Sequence, residues 1–170
     1  MLKFYFTALA ALLYSPRRFF EQLPLDMGLK RPAWYLMASS LVFAAASGAW
    51  STAAAPMARS TIFWVNAVGM TLVSALLGHG LIYVVKGGAW TAFNRVFSVY
   101  AFSTGTTLLG AWVPWFVFVT EPWKWWLICI GMTRVCRLTI AQAAVVIGVS
   151  IGLIVFSVQL ILGFLSGPSL

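Results

Sequence analysis

The chain has 170 residues, of which 62% are hydrophobic and only 8% are charged. Soluble domains carry about a quarter charged residues, so this composition excludes an ordinary soluble protein and indicates a single integral membrane domain. The formal net charge of +8 comes from Lys and Arg scattered among apolar runs, a pattern typical of membrane-orientation signals. It does not predict a face that binds nucleic acid.

The first fourteen residues, MLKFYFTALAALLY, resemble a signal peptide in their hydrophobicity. The apolar run is followed by SPRR, however, and not by the small residues of a cleavage site. Arg17 and Arg18 also oppose translocation of the chain that comes after them. We therefore predict a retained helix that lies on the membrane surface.

A short amphipathic helix is predicted next, with Ser15 as N-cap, Pro16 at the first helical position and Pro24 at the end. Its aromatic edge and its basic edge suit the cytoplasmic leaflet, where cationic side chains meet anionic headgroups. Together, residues 1–32 form an amphipathic segment on the cytoplasmic face. A helix packed beneath the bundle is the other interpretation. The candidate leaflet contacts are Arg17, Arg18, Phe19 and Phe20.

Four long apolar stretches come next, each long enough to cross a bilayer, with a short segment at about 122–133. The short segment has nine uncharged residues between Lys124 and Arg134, which rise about 13.5 Å against a hydrocarbon core of roughly 30 Å. It either crosses upright, with both cations reaching the interfaces, or turns back. The long stretches span about 33–55, 61–85, 96–119 and 139–165.

The distribution of positive charge favours five crossings. If all five segments cross and the N-terminus is cytoplasmic, nine Lys and Arg face the cytoplasm, and Arg59 and Lys124 face the other side. A re-entrant short segment moves Arg134 and Arg137 outside and makes the split seven against four. Because positive charge is retained in the cytoplasm during insertion, we predict an all-α five-helix bundle over residues 33–170.

Several polar residues near the bundle are candidates for function. His79 lies near the inner end of the second span, where an ionisable group handles protons or a ligand, or simply packs. Lys86 and Arg95 flank the Gly-Gly turn in KGGAWTAFNR, which either cradles a lipid phosphate or forms a solvated basic loop. The loop has no Walker-type spacing, so nucleotide binding is not predicted.

Small residues recur every four positions in two spans, where they permit close helix packing inside the bundle or across a dimer interface. The first series lies in the 33–55 stretch and the second in the last stretch. The two series are Ser40, Ala44, Gly48, Thr52 and Ala144, Gly148, Gly152.

The chain has few groups for chemistry. Its three acids, Glu21, Asp26 and Glu121, and its one His cannot supply paired carboxylates, a Ser-His-Asp set or a metal cluster. Cys129 and Cys136, seven residues apart, fit no zinc or redox spacing and are interpreted as apolar fillers. We predict a non-enzymatic protein without a cofactor or metal.

The sequence resembles the Yip family, the Ypt/Rab-interacting membrane proteins and their bacterial relatives. The resemblance rests on SPRRFFEQL, GHGLIYVVKGGAWTAFNRVFSVYAFSTGTTLLGAWVP and WWLICIGMTRVCRLTIAQAAVVIG, in this order, with Tyr100 and Pro114 in the third span. It implies five spans and a cytoplasmic N-terminus. Only about 32 residues precede the first span, and Gln142 replaces a Lys found in many members. Both departures weaken the implication of Rab binding and fit a compact bacterial member.

Function is predicted as a scaffold or adaptor that associates with partner proteins or with a second copy and shapes the bilayer. The alternative is a small transporter or lipid-handling subunit that uses the third and fourth spans, with His79 and Tyr100 as its polar elements. The predicted location is the bacterial inner membrane, with a cytoplasmic N-terminus and a periplasmic C-terminus. A eukaryotic ER or Golgi membrane is the alternative.

Overall fold

The computed structural model describes residues 1–24, 27–50 and 55–166, which form seven α-helices and no strand. The predicted all-α class is therefore confirmed. The acid Asp26 and Thr52, the last member of the first small-residue series, lie outside the described residues. The helices are α1 (Leu2–Tyr14), α2 (Pro16–Glu21), α3 (Lys30–Ala49), α4 (Pro56–Val85), α5 (Phe93–Ala111), α6 (Val117–Val135) and α7 (Ile140–Ser166).

Two of these helices are long and apolar enough to cross a membrane, over Met57–Val85 in α4 and Ile140–Phe164 in α7. Helices α3, α5 and α6 have 20, 19 and 19 residues. At 1.5 Å per residue they rise about 28–30 Å, which is close to the thickness of the hydrocarbon core. Five crossings remain a prediction.

The stretch 96–119, interpreted as one span, is divided between two helices. Helix α5 ends at Ala111, a turn follows, and α6 begins at Val117. Pro114 lies in this turn because it has no backbone N–H to continue a helix, and Trp115 adopts a left-handed φ of 69°. The short fourth segment is consequently part of a helix of 19 residues, with Pro122 inside it.

Helix α5 lies at the centre of the bundle, with buried side chains on all sides between Val96 and Phe102. Small residues let its neighbours approach closely. A Cβ built on Gly105 would lie 2.8 Å from the ring of Tyr35, and one built on Gly131 would lie 2.5 Å from Val99. Such contacts are the main source of helix association in lipid, where apolar burial adds little.

Helices α1 and α2 pack beside the bundle rather than beneath it. The Tyr5 hydroxyl lies 3.0 Å from Ser39 Oγ, and the rings of Phe19 and Phe102 are 5.1 Å apart. Ser39 and Phe102 are each the tenth residue of their helix, so both contacts lie halfway along α3 and α5. Ser15 occupies the N-cap position of α2 and Pro16 its first position, as predicted.

Helix α7 begins with a reciprocal cap. Thr139 N–H donates to Gln142 Oε1 at 3.0 Å, and Gln142 N–H donates to Thr139 Oγ1 at 3.2 Å. The first half of α7 packs on α4 and α6 and buries Ala143, Val146 and Ser150. From residue 155 to 164 every residue is exposed.

Candidate functional site

Lys86 and Arg95 lie at one end of the bundle, which we call the inner end. It is the end at which α3, α5 and α7 begin and α4 and α6 finish. Asn94 Nδ2 donates to the Met27 carbonyl at 3.0 Å, joining the chain before α3 to the first turn of α5. An ion pair of 3.0 Å between Arg134 and Glu21 joins α6 to α2.

The predicted Gly-Gly turn follows α4 at the inner end. Gly87 and Gly88 have φ values of 63° and 87°, a left-handed conformation that glycine adopts without steric cost. Lys86 Nζ donates to Thr91 Oγ1 at 3.2 Å and closes the loop. Lys86 is half-buried, so the loop holds it partly against the bundle.

Lys86 and Arg95 are brought together near the end of α6. Both act electrostatically on the thiol of Cys136, which is 2% exposed. Burial raises the pKa of Cys136 to about 11, and the two cations oppose that rise. The structure thus groups the two predicted headgroup contacts, and headgroup binding itself remains a prediction.

His79 packs among aromatic rings near the inner end. Its ring meets Trp90 edge-on at 5.2 Å and Phe93 at 5.6 Å between centroids. The buried Nδ1 has no hydrogen-bond partner in the described part of the chain. Because the loop residue Trp90 folds back onto α4, this contact stabilises the position of the Gly-Gly turn.

Tyr100 is 1% exposed and fits against Gly78 of α4. A Cβ at Gly78 would lie 2.5 Å from the Tyr100 hydroxyl, so only glycine leaves room for the ring. The hydroxyl of Tyr100 is buried beside Ser150 of α7, and the buried hydroxyl of Ser103 has no hydrogen-bond partner among the residues described. His79 and Tyr100 therefore do not form one polar group.

The four candidate leaflet contacts differ in how far their side chains are exposed. Arg17 and Arg18 are exposed, whereas Phe19 is half-buried. Phe20 is 1% exposed, and one of its ring carbons lies 3.2 Å from a Cβ built on Gly131. Phe20 is thus part of the core in this structure, and the arginines are the residues available to lipid.

A cavity of about 280 Å³ between α4, α5, α6 and α7, lined by both polar and apolar side chains, was not foreseen from the sequence. An ion pair of 2.6 Å between Lys124 and Glu121 lines it. Because α6 begins at Val117, these residues lie about 6 and 10 Å into the helix and not at its start. The sequence feature that could have predicted this depth is Pro114, because a proline there ends α5 and lets α6 begin before Glu121. Neutral polar groups also line the cavity: Asn66, Thr71, Ser74, Tyr100 and Thr104.

No group of three or more His, Cys, Asp or Glu side chains that could hold a metal ion occurs within 1–24, 27–50 and 55–166. The comparison with protein families matches the Yip1 domain over residues 10–163. Neither the curated proteins nor the solved structures contain a match. The family match covers nearly the whole chain and confirms the resemblance found in the sequence. The chain belongs to the Yip1 domain family and is a membrane protein.

Proposed function

We propose that this Yip1-family membrane protein is a non-enzymatic adaptor that binds a partner helix within the bilayer and organises the lipid around it. The supporting observation is the α7 ridge, defined as Ala144, Gly148 and Gly152. All three residues are exposed, and a Cβ built on either glycine meets nothing within 4 Å. The ridge is therefore open to a second helix.

The contrast with α3 supports this proposal. In α3 the equivalent small residues Ser40, Ala44 and Gly48 are buried against other helices of the bundle. Small residues at four-residue spacing let two backbones approach closely, which favours helix association in lipid. Since the first series serves packing within the chain, the second is available for a partner protein or a second copy.

Contact with the bilayer is the other part of the proposal. Helix α1 directs Leu2 and Phe6 outward, and α2 exposes Arg17 and Arg18. An apolar face next to cations suits the boundary between acyl chains and anionic headgroups. We place this face in the cytoplasmic leaflet of a bacterial inner membrane, with α7 ending on the periplasmic side. An ER or Golgi membrane is the alternative location.

Substitution of the α7 ridge tests the proposal. We expect Gly152→Leu to abolish co-purification of the partner, or self-association in bilayer nanodiscs, because the added side chain keeps the backbones apart. The control is Leu153→Phe, which adds bulk on a different face of α7, and it should leave the association unchanged. Equal effects of the two variants, or no effect of either, would refute the role of the ridge.

A small transporter or lipid-handling subunit is the second candidate, and the cavity beside the Glu121–Lys124 ion pair favours it. Ionised side chains at membrane depth commonly mark solute paths. Purified protein in liposomes separates the two candidates. Solute or lipid flux above empty vesicles, reduced by Lys124→Gln, supports transport. Flux at background together with tubulated or curved vesicles supports the adaptor.

A further inference from the structure

A second cavity, of about 340 Å³, lies at the inner end between α1, α2 and the start of α3. It is distinct from the Gly-Gly turn and the α7 ridge. Its walls combine aromatic or aliphatic side chains with hydroxyl, amide and guanidinium groups. The lining includes Phe4, Ser15, Arg18, Phe19, Gln22 and Arg31.

Positive charge dominates this cavity. Arg18 comes from α2 and Arg31 from the first turn of α3, so two separate elements contribute cations to one space. None of the lining residues that the structure describes is acidic. The nearby Glu21 carboxylate is directed to Arg134, 3.0 Å away, and is not among the lining residues. The described lining therefore favours an anion.

The two arginines suit a phosphate in particular. The Arg31 guanidinium lies 5.7 Å from the centroid of the Phe4 ring, a cation–π contact that restricts its position. A held guanidinium can give two parallel hydrogen bonds to a phosphate, and Arg18 supplies a second positive group. Ser15 and Gln22 add neutral donors.

The apolar part of the lining favours a phospholipid over a free phosphate ion. Phe4 and Phe19 form walls that a free phosphate would leave unfilled, whereas a phospholipid presents its headgroup and the start of its acyl chains together. We propose that this cavity binds the phosphate headgroup of an anionic phospholipid through Arg18 and Arg31. It deepens the proposed contact with the bilayer and does not depend on the α7 ridge.

Lipid titration of the purified full-length protein tests this site. The probe is a short-chain phosphatidylglycerol, and bound lipid is counted by native mass spectrometry. We expect the double variant Arg18→Gln/Arg31→Gln to lose about tenfold or more in affinity, since each lost charge-assisted bond weakens binding. The matched control is Lys3→Gln/Lys30→Gln, which removes two exposed cations of α1 and α3 that do not line the cavity.

Equal losses in the Arg18→Gln/Arg31→Gln variant and in the Lys3→Gln/Lys30→Gln control would overturn the proposal, because they would indicate a diffuse attraction to positive charge. Inorganic phosphate that displaces the lipid at equal concentration would overturn the assignment to a phospholipid. If the double variant does not fold, Arg31→Lys is used, which keeps the charge but loses the bidentate geometry. A several-fold loss is then expected, and unchanged affinity contradicts the site. Gly152→Leu should bind the lipid normally, which separates this test from that of the partner helix.

Discussion

At the scale of single residues, three glycines determine how closely the helices approach. Gly78 receives the ring of Tyr100, Gly105 that of Tyr35, and Gly131 the side chain of Val99. In each case a Cβ would lie under 3.0 Å from a neighbouring atom, so even alanine requires a shift. Helix packing at these three positions is therefore sensitive to the addition of a single methyl group.

We expect Gly131→Ala to lower the free energy of unfolding by about 1–3 kcal/mol, because the new methyl group overpacks the contact with Val99 and Phe20. Thermal unfolding in detergent measures the effect. Gly148→Ala is the control, since a Cβ there meets nothing within 4 Å and alanine favours helix. An equal loss in both variants would contradict the packing argument.

The thiol of Cys136 should be nearly unreactive in the folded protein. Burial raises its pKa from 9.0 to about 11, so the thiol stays protonated over a wider pH range. In a Cys129→Ser background, we expect maleimide labelling to speed up about tenfold per pH unit between pH 7 and 10. Fast labelling at pH 7 without denaturant would contradict this environment.

Some residue roles follow from local sequence alone. Gly87 and Gly88 were predicted to form a turn, because two glycines between polar residues interrupt any helix. The position of Phe20 could not be predicted in the same way. An aromatic residue on an amphipathic helix suits a lipid face and a protein face equally, and only the docking of α2 on α6 decides between them.

At the scale of elements, α6 differs most from its prediction. Trp, Val and Phe are as apolar in the turn at 112–116 as in a helix, so hydropathy continues across the break between α5 and α6. Pro122, at the boundary of the predicted 122–133 segment, lies inside α6. The extra residues from Val117 onward give the helix about 28 Å of rise, although the uncharged run between Lys124 and Arg134 is still nine residues long. Its crossing remains a prediction.

A topology prediction follows for this helix. In a cysteine-free background, we expect Arg137→Cys to be labelled by a membrane-impermeant thiol reagent from the cytoplasmic side only. Val113→Cys, in the turn before α6, should be labelled only from the opposite side. Labelling of both positions from one side would support a re-entrant segment instead.

At the scale of the whole molecule, α1 packs as part of the bundle. Tyr5, Ala8 and Leu12 are buried, and Tyr5 also bonds to Ser39. We expect deletion of residues 2–14 to lower the melting temperature in detergent, because this buried surface is lost. The control Tyr14→Ala, at a residue 88% exposed, should have no effect. An unchanged melting temperature after the deletion would mean that α1 is not part of the core.

The class of the molecule was predictable from its sequence, because composition and the alternation of apolar runs with basic punctuation determine an all-α membrane protein. Which face of each helix is buried could not be predicted from the sequence. The ridges of α3 and α7 follow the same spacing, yet Ala44 is buried and Ala144 is exposed. The difference depends on whether a neighbouring helix covers the ridge, as α4 does beside Ala44 and Gly48, which is a property of the assembled bundle and not of either ridge.

The unequal lengths of the helices have a consequence for the surrounding lipid. Helices α4 and α7, with 30 and 27 residues, pack together and rise about 40–45 Å, whereas α3 and α6, with 20 and 19, rise about 28–30 Å. With all five of the long helices crossing, as predicted, the perimeter offers a tall side and a low side to one bilayer, at a cost of fractions of a kcal/mol per Å of unmatched height. A border between thick and thin membrane satisfies both sides at once, and we expect the protein to collect along such borders.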